Sequence, residues 1–147
     1  MLLASKDIIA HTKVWQRRHG GNLYNMYPIS LSSQKGFQEK MDQIPLYCKK
    51  AAELHKIASG LSHIHAGEVP QCNMMHWEFA GDVDQVEKAA LEVAKEHKIL
   101  ILNKLWVRDF NPTPVTEISV GESLLNADMN QVIAALDLFN SKLASVS

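Results

Sequence analysis

The sequence predicts an α+β fold, a small two-layer sandwich in which helices cover one face of a sheet. Residues 72–79 alternate between two sets of side chains, as a strand with one buried face does. Residues 83–97 place apolar side chains every three or four positions, which is typical of an amphipathic helix. Helical segments come first, and the order β-α-β-β-α follows. This order favours two helices packed on one face of a small sheet.

The first elements are predicted to be helical. Ser5 can cap a first helix, and the glycine pair Gly20-Gly21 ends it by allowing backbone angles closed to other residues. A second helical stretch over residues 23–32 is interrupted at Pro28, which has no amide hydrogen to donate and must therefore start, kink or bound a helix. The apolar spacing over residues 35–60 predicts a third, amphipathic helix.

The later elements follow from capping, burial and breaker signals. Asp82 is suited to cap the helix that ends at residue 97. The apolar run Ile99–Leu102 is predicted to be a short buried strand. Two prolines in residues 111–114 break the chain before a β-branched, alternating strand over Val115–Val120. The last helix is predicted from about Asp128 to Leu143.

Composition describes an ordinary globular chain. Of 147 residues, 46% are hydrophobic and 21% are charged, which is enough apolar material for one core. A net charge of −1 provides no basic face, so we predict no nucleic-acid or membrane partner. Without a secretory signal or an apolar span, a cytoplasmic protein is expected. Cys48 and Cys72 have no metal-ligand or redox spacing and are predicted to be reduced and buried.

The residues Arg17, Arg18 and His19 precede the glycine pair and are the sharpest chemical signal. Arginines beside glycines allow the close approach of a carboxylate or phosphate. The alternative is that these cations satisfy the carbonyl groups and the dipole at a helix end, and the residue types alone favour it. No metal site is predicted. Four residues could suggest one, but they lack a recognised ligand spacing: His63, His65, Cys72 and His76.

The order Trp15-Gln16-Arg17-Arg18-His19-Gly20-Gly21-Asn22-Leu23-Tyr24 resembles a stretch just downstream of the Schiff-base lysine in the threonine aldolase and β-eliminating lyase family. These are pyridoxal 5'-phosphate (PLP) enzymes of fold type I. By this resemblance the lysine lies before Met1–Leu3, which are predicted to end a buried strand. The chain is thus interpreted as the C-terminal part of such an enzyme. Residues 1–34 are then a helical remnant of the large PLP domain, and residues 35–147 are the small domain.

The resemblance also assigns roles to residues. It places Arg17 on a basic active-site position, so Arg17, Gly20 and Gly21 are candidate cofactor-binding residues, and Arg17 and Arg18 are candidate substrate-binding residues. Tyr24 stands where some relatives have an arginine. The resemblance implies PLP acting as an electron sink, an amino-acid substrate, and a homodimer or homotetramer.

The small-domain segments match the family less closely. Asn73-Met74-Met75 resembles the family's Thr-Asn-Met run, for which we predict a packing role. The segment Val115–Glu122 occupies the place of an Arg-x-Val-Thr-His stretch. Thr116 matches, whereas Glu117 replaces the histidine and no arginine precedes it. Arg108 is the candidate substitute for the arginine that grips the substrate α-carboxylate. Its alternative is a solvated charge at the edge of a strand.

No lysine in the chain follows a glycine-rich phosphate loop, so no catalytic residue and no cofactor are predicted for this chain alone. Three interpretations stay open. The first is an inactive fragment of a lyase that cleaves a β-hydroxy amino acid to glycine and an aldehyde, or of a β-eliminating lyase. The second is a binding or regulatory subunit, or one half of a split enzyme that needs an N-terminal half. The third is an unrelated α+β domain.

Overall fold

The computed structural model describes residues 4–145, so the predicted strand end at Met1–Leu3 lies outside the described residues. The chain divides into two units, one up to Asp42 and one from Gln43 onwards. We had predicted the division after residue 34. The correspondence of these units to the domains of a larger enzyme stays a prediction.

The first unit contains helices α1 (Lys6–Arg18) and α2 (Tyr27–Lys40). Ser5 caps α1 as predicted, since its hydroxyl accepts a hydrogen bond from the Ile8 amide. Pro28 lies in the first turn of α2, so of the three predicted alternatives it starts a helix, where the first amides have no intrahelical acceptor. Neither helix buries a residue.

The second unit has five further helical or 3-10 segments and four strands. In chain order they are a 3-10 turn (Met41–Gln43) at the junction, α3 (Ile44–Ala58), β1 (Ile64–His65), β2 (Met74–Phe79), α4 (Val83–His97), β3 (Trp106–Arg108), β4 (Asn111–Ser119), α5 (Glu122–Leu125) and α6 (Met129–Ala144). Of the helices in residues 4–145, none combines the length and apolar character needed to span a lipid bilayer.

The four strands form one antiparallel sheet in the order β1-β2-β4-β3. The alternation predicted for β2 is confirmed, because Met75, Trp77 and Phe79 are buried while Met74 and His76 are exposed. Helices α3, α4 and α6 add their apolar stripes to the same core. The α+β class is therefore confirmed, with the helices on one face of the sheet.

The strand predicted at Ile99–Leu102 is wrong. These residues form no ladder, and the third strand begins instead at Trp106, opposite Val115 of β4. Leu102 is buried and Leu100 is 69% exposed, so the segment packs as a loop whose side chains alternate in burial. A short run of apolar residues occurs both in buried strands and in loops that pack against the core. The two differ in whether a neighbouring strand pairs with the backbone amides of the run.

The core is centred on two phenylalanines from different layers. The rings of Phe79 in β2 and Phe139 in α6 meet edge to face with centroids 5.4 Å apart, and both are almost fully buried. Trp77 lies beside them at 1% exposure. Its indole nitrogen is the one buried side-chain polar atom in residues 4–145 without a hydrogen-bond partner.

Helices α4 and α6 are also joined by an ion pair, in which Lys142 Nζ donates to Glu92 Oε2 at 2.8 Å. The hydrogen bond and the charge of Lys142 lower the pKa of Glu92, and the same contact raises the pKa of Lys142. Its stabilising effect is therefore complete above the pKa of an unfolded glutamate, about 4.3, and below that of an unfolded lysine, about 10.4. The effect is lost as pH falls through the lowered pKa of Glu92, or rises through the raised pKa of Lys142.

We expect Glu92→Gln to lower the thermal midpoint slightly at pH 7, because the pair is solvent-exposed and such pairs contribute little. The difference from the unchanged protein should shrink as pH falls from 7 to 3, which scanning calorimetry would follow. Glu87→Gln, on the same helix, removes the same charge without touching Lys142 and is the matched control. An equal loss in both variants would show that net charge, and not the pair, is responsible.

Candidate substrate-binding site

The face of the sheet opposite the core carries polar side chains from three strands. His76 and Glu78 alternate with the buried residues of β2 and point away from the core. The antiparallel register places Glu117 of β4 opposite His76, and their side chains approach to 3.7 Å. The His76 ring also meets Trp106 of β3 edge to face, with centroids 5.7 Å apart. We call this surface the open face of the sheet.

Arg108 is the cation of the open face. Strand β4 lies between β2 and β3, so the Arg108 side chain crosses β4 to reach Glu78 on β2. Its Nη1 donates a hydrogen bond to Glu78 Oε1 at 3.0 Å. The two side chains are 35% and 25% exposed, which makes this pair less solvated than the His76–Glu117 pair of the same face. Arg108 is therefore partly exposed and paired with Glu78, and both its role in substrate binding and the alternative of a solvated charge at a strand edge stay predictions.

A loop of residues 66–71 borders this pair and forms a cleft of about 380 Å³ with the open face. The cleft is lined by His65, Glu68, His76, Glu78 and Arg108, among others. A volume of this size lies at the lower end of the range found for small-molecule sites. The lining includes a guanidinium, two carboxylates and two imidazole rings, which are groups that can contact a small, charged ligand.

The loop is anchored from the core side by a histidine. His55 on α3 is 8% exposed, and its Nε2 donates to the Gly67 carbonyl at 3.0 Å. Gly67 has a φ of +69°, in the left-handed region that favours glycine. His55 was not predicted from the sequence, because a single histidine within an amphipathic helix does not indicate a hydrogen bond to a distant residue such as Gly67.

The cluster at Arg17 forms the end of α1. The Gly20 amide donates to the Arg17 carbonyl at 3.2 Å with a φ of +73°, so this glycine is the left-handed cap of the helix. Gly21 lies against Gln16, where a Cβ would come within 2.9 Å of the Gln16 side chain. The glycines are thus explained by helix termination.

The side chains of Arg17 and Arg18 differ in their contacts. The Arg18 guanidinium lies 5.1 Å from the centre of the Trp15 ring, within the range of a cation–π contact. Arg17 is exposed, and its side chain has no hydrogen bond or ion pair to residues 4–145. Both substrate roles, and the cofactor roles of Arg17, Gly20 and Gly21, stay predictions.

The described residues do not fit a PLP site by themselves. All twelve lysines lie in the described range, and none of them is buried. Lys50 and Lys142 are the most enclosed, and each is paired with a glutamate. The pKa of Lys142 is raised, whereas a Schiff-base lysine needs burial that lowers it. A PLP-binding lysine would have to come from another part of the protein.

Two other sequence signals are placed by the structure. Within residues 4–145 no three potential ligands from His, Cys, Asp and Glu come close enough to hold a metal ion. His65 and His76 nevertheless share the cleft. Both cysteines are free. Cys48 is half-buried and Cys72 is exposed, so the prediction that both are buried is wrong, because Cys72 precedes β2 and has not entered the core.

In the two later segments that resemble the family, Thr116 and Asn73 hydrogen-bond to backbone carbonyl groups. Thr116 is fully buried, and its hydroxyl donates to the Lys104 carbonyl at 2.8 Å, tying the loop before β3 to β4. The Asn73 side-chain amide donates to the Val120 carbonyl at 2.7 Å, and the Val120 amide donates to the Asn73 carbonyl. These two hydrogen bonds join the residue before β2 to the residue after β4, at one end of the sheet.

Two solved structures share this architecture. One is a protein designated aromatic amino acid β-eliminating lyase/threonine aldolase from Exiguobacterium sp. 255-15, which matches 88% of this chain with a TM-score of 0.76 and 26% identity. The other is designated L-allo-threonine aldolase, from Listeria monocytogenes EGD-E, and matches 92% of this chain with a TM-score of 0.79 and 23% identity. The chain has the threonine aldolase fold.

The threonine aldolase fold is present here in part. The match covers 36% of the Exiguobacterium chain and 38% of the Listeria chain, which is consistent with the predicted C-terminal part. No protein-family model matches the sequence, and no curated protein matches it either. The agreement over almost the whole chain argues against the interpretation as an unrelated α+β domain.

Proposed function

We propose that this chain is the C-terminal portion of a PLP-dependent lyase that cleaves a β-hydroxy amino acid to glycine and an aldehyde. A β-eliminating activity on an amino acid is the second form of the same proposal. The match of 88% and 92% of the chain to two proteins designated as such enzymes is the observation that carries it. We also propose that the enzyme is cytoplasmic, and that it is a homodimer or homotetramer as the sequence resemblance implies.

In this proposal the open face of the sheet borders the substrate. Arg108 is a fixed guanidinium in a cleft of small-molecule size, and planar guanidinium groups bind carboxylates through paired N–H donors. We assign to Arg108 the binding of the substrate α-carboxylate. The hydrogen bond to Glu78 takes up one donor at Nη1 and orients the group. The nearby His76–Glu117 pair adds polar groups that can contact the rest of the substrate.

The chain by itself is expected to be inactive and to bind no cofactor covalently, because none of its lysines is buried. Purified with excess PLP, it should show no imine absorbance band that survives removal of free cofactor. Borohydride treatment followed by mass spectrometry would give the same answer, since reduction traps any lysine imine. A stable, stoichiometric adduct on one lysine would contradict the proposed inactivity.

The direct test of the function is an assay of the reconstituted full-length protein for glycine release from several β-hydroxy amino acids. Release of glycine together with an aldehyde supports aldol cleavage, whereas release of pyruvate and ammonia from serine supports β-elimination. The alternative is a non-catalytic binding or regulatory subunit, or one half of a split enzyme, and the lack of a buried lysine among residues 4–145 favours it. A reconstituted protein without either activity would leave the non-catalytic subunit as the better interpretation.

A further inference from the structure

Glu78 is the acidic residue that holds Arg108 on the open face. Its Oε1 accepts from Arg108 Nη1 at 3.0 Å, and the Arg108 side chain makes no other hydrogen bond to residues 4–145. A guanidinium carries five N–H donors. One bond to Glu78 therefore leaves four donors, which is enough for a paired contact with a second carboxylate. A ligand carboxylate does not have to displace Glu78 in order to bind Arg108.

The residues that line the cleft carry more negative than positive charge. Among its lining residues Arg108 is the one cation when the histidines are neutral, and Glu68 and Glu78 are both acidic. The lining then has a net charge of −1. Glu117 adds a further carboxylate on the same face, beside His76. A ligand that places one carboxylate on Arg108 finds no second cation for another carboxylate, because no lysine lines the cleft.

We propose that Glu78 positions Arg108 for a single carboxylate and makes the cleft selective for amino acids with uncharged side chains over those with acidic side chains. The proposal rests on the proposed function, in which Arg108 binds the α-carboxylate. The bond to Glu78 restricts the rotation of the guanidinium, so its remaining donors keep one orientation. The charge of Glu78 repels a second ligand carboxylate, and such repulsive groups are a common source of specificity.

The small number of arginines makes a direct experiment possible. The chain contains three, Arg17, Arg18 and Arg108, so NMR of isotope-labelled arginine gives three guanidinium signals. Arg108→Lys identifies the signal of Arg108. We expect that signal to shift when L-threonine is added to the 147-residue chain at pH 7. L-Aspartate should bind about tenfold more weakly, which corresponds to about 1.4 kcal/mol.

Two substitutions at Glu78 separate its two roles. Glu78→Gln keeps an oxygen acceptor for Arg108 but removes the charge, so the preference for threonine over aspartate should fall from about tenfold to near unity. Glu78→Ala removes the acceptor as well, so the guanidinium should rotate faster in the ligand-free chain and threonine should bind more weakly. Glu87→Gln is the control, since it removes an exposed carboxylate of α4 that does not line the cleft.

The possible outcomes separate this inference from the proposed function. The inference is overturned if aspartate binds at Arg108 as tightly as threonine does, or if Glu78→Gln and Glu87→Gln change the preference equally. If the Arg108 guanidinium rotates at the same rate in the ligand-free Glu78→Ala variant as in the unchanged chain, Glu78 does not position Arg108. If the Arg108 signal responds to no amino acid, Arg108 does not bind the substrate α-carboxylate as the proposed function states. The proposed selectivity against acidic amino acids is then wrong as well. Circular dichroism of each variant verifies that it is folded.

Discussion

Phe139→Ala is expected to lower the free energy of unfolding by about 3–5 kcal/mol, the range typical of a large aromatic side chain removed from a packed core. Phe139 is fully buried and meets Phe79 edge to face. The substitution therefore removes buried apolar area and an aromatic contact, and it leaves a cavity between α6 and the sheet. Urea unfolding monitored by tryptophan fluorescence would measure the loss, with the buried Trp77 as a reporter close to the site.

The control for this prediction lies two residues earlier on the same helix. Asp137 is exposed on α6, so Asp137→Ala should change the free energy of unfolding by less than about 0.5 kcal/mol. A loss below about 1 kcal/mol for Phe139→Ala would contradict the packing described for the core. It would mean that α6 does not close on the sheet in solution.

The second large effect is expected at Arg108 in the reconstituted full-length enzyme. Arg108→Ala removes the guanidinium assigned to the α-carboxylate, and losing one partner of a charged, partly buried contact costs about 2–5 kcal/mol. We expect kcat/KM for a β-hydroxy amino acid to fall by about 100-fold, which is about 2.7 kcal/mol. The fall should lie mainly in KM, because a carboxylate keeps its charge during the reaction and is bound similarly in ground and transition states.

The same assay compares the three arginines predicted to bind substrate. Arg18→Ala should have little effect, since Arg18 is engaged with the Trp15 ring. Arg17→Ala tests the position suggested by the family resemblance. A large loss with Arg17→Ala and none with Arg108→Ala would move the carboxylate site to the end of α1. Arg108→Lys retains the charge and should recover part of the loss, which separates charge from the geometry of the paired contact.

The site was predictable from sequence in part. Arg108 was a candidate because it follows an apolar segment and precedes a proline-rich break. Its partner Glu78 was placed on the correct face of β2 by alternation alone, but nothing in the sequence linked two residues thirty positions apart. The antiparallel order β2-β4-β3 creates that link, because it puts the two side chains on one face with a single strand between them.

The sequence by itself determined the fold class, the capped helices and the buried face of β2. These follow from local patterns, in which residues within one turn or one strand report their own burial. The tertiary structure alone decided that residues 99–102 form a loop, that His55 anchors Gly67, and that Arg108 is held by Glu78. The physical reason is that the backbone amides of a strand must pair with a neighbouring strand, which the local sequence does not reveal. The partners of His55 and Arg108 are likewise distant in sequence, and they come within hydrogen-bond distance only when the chain folds.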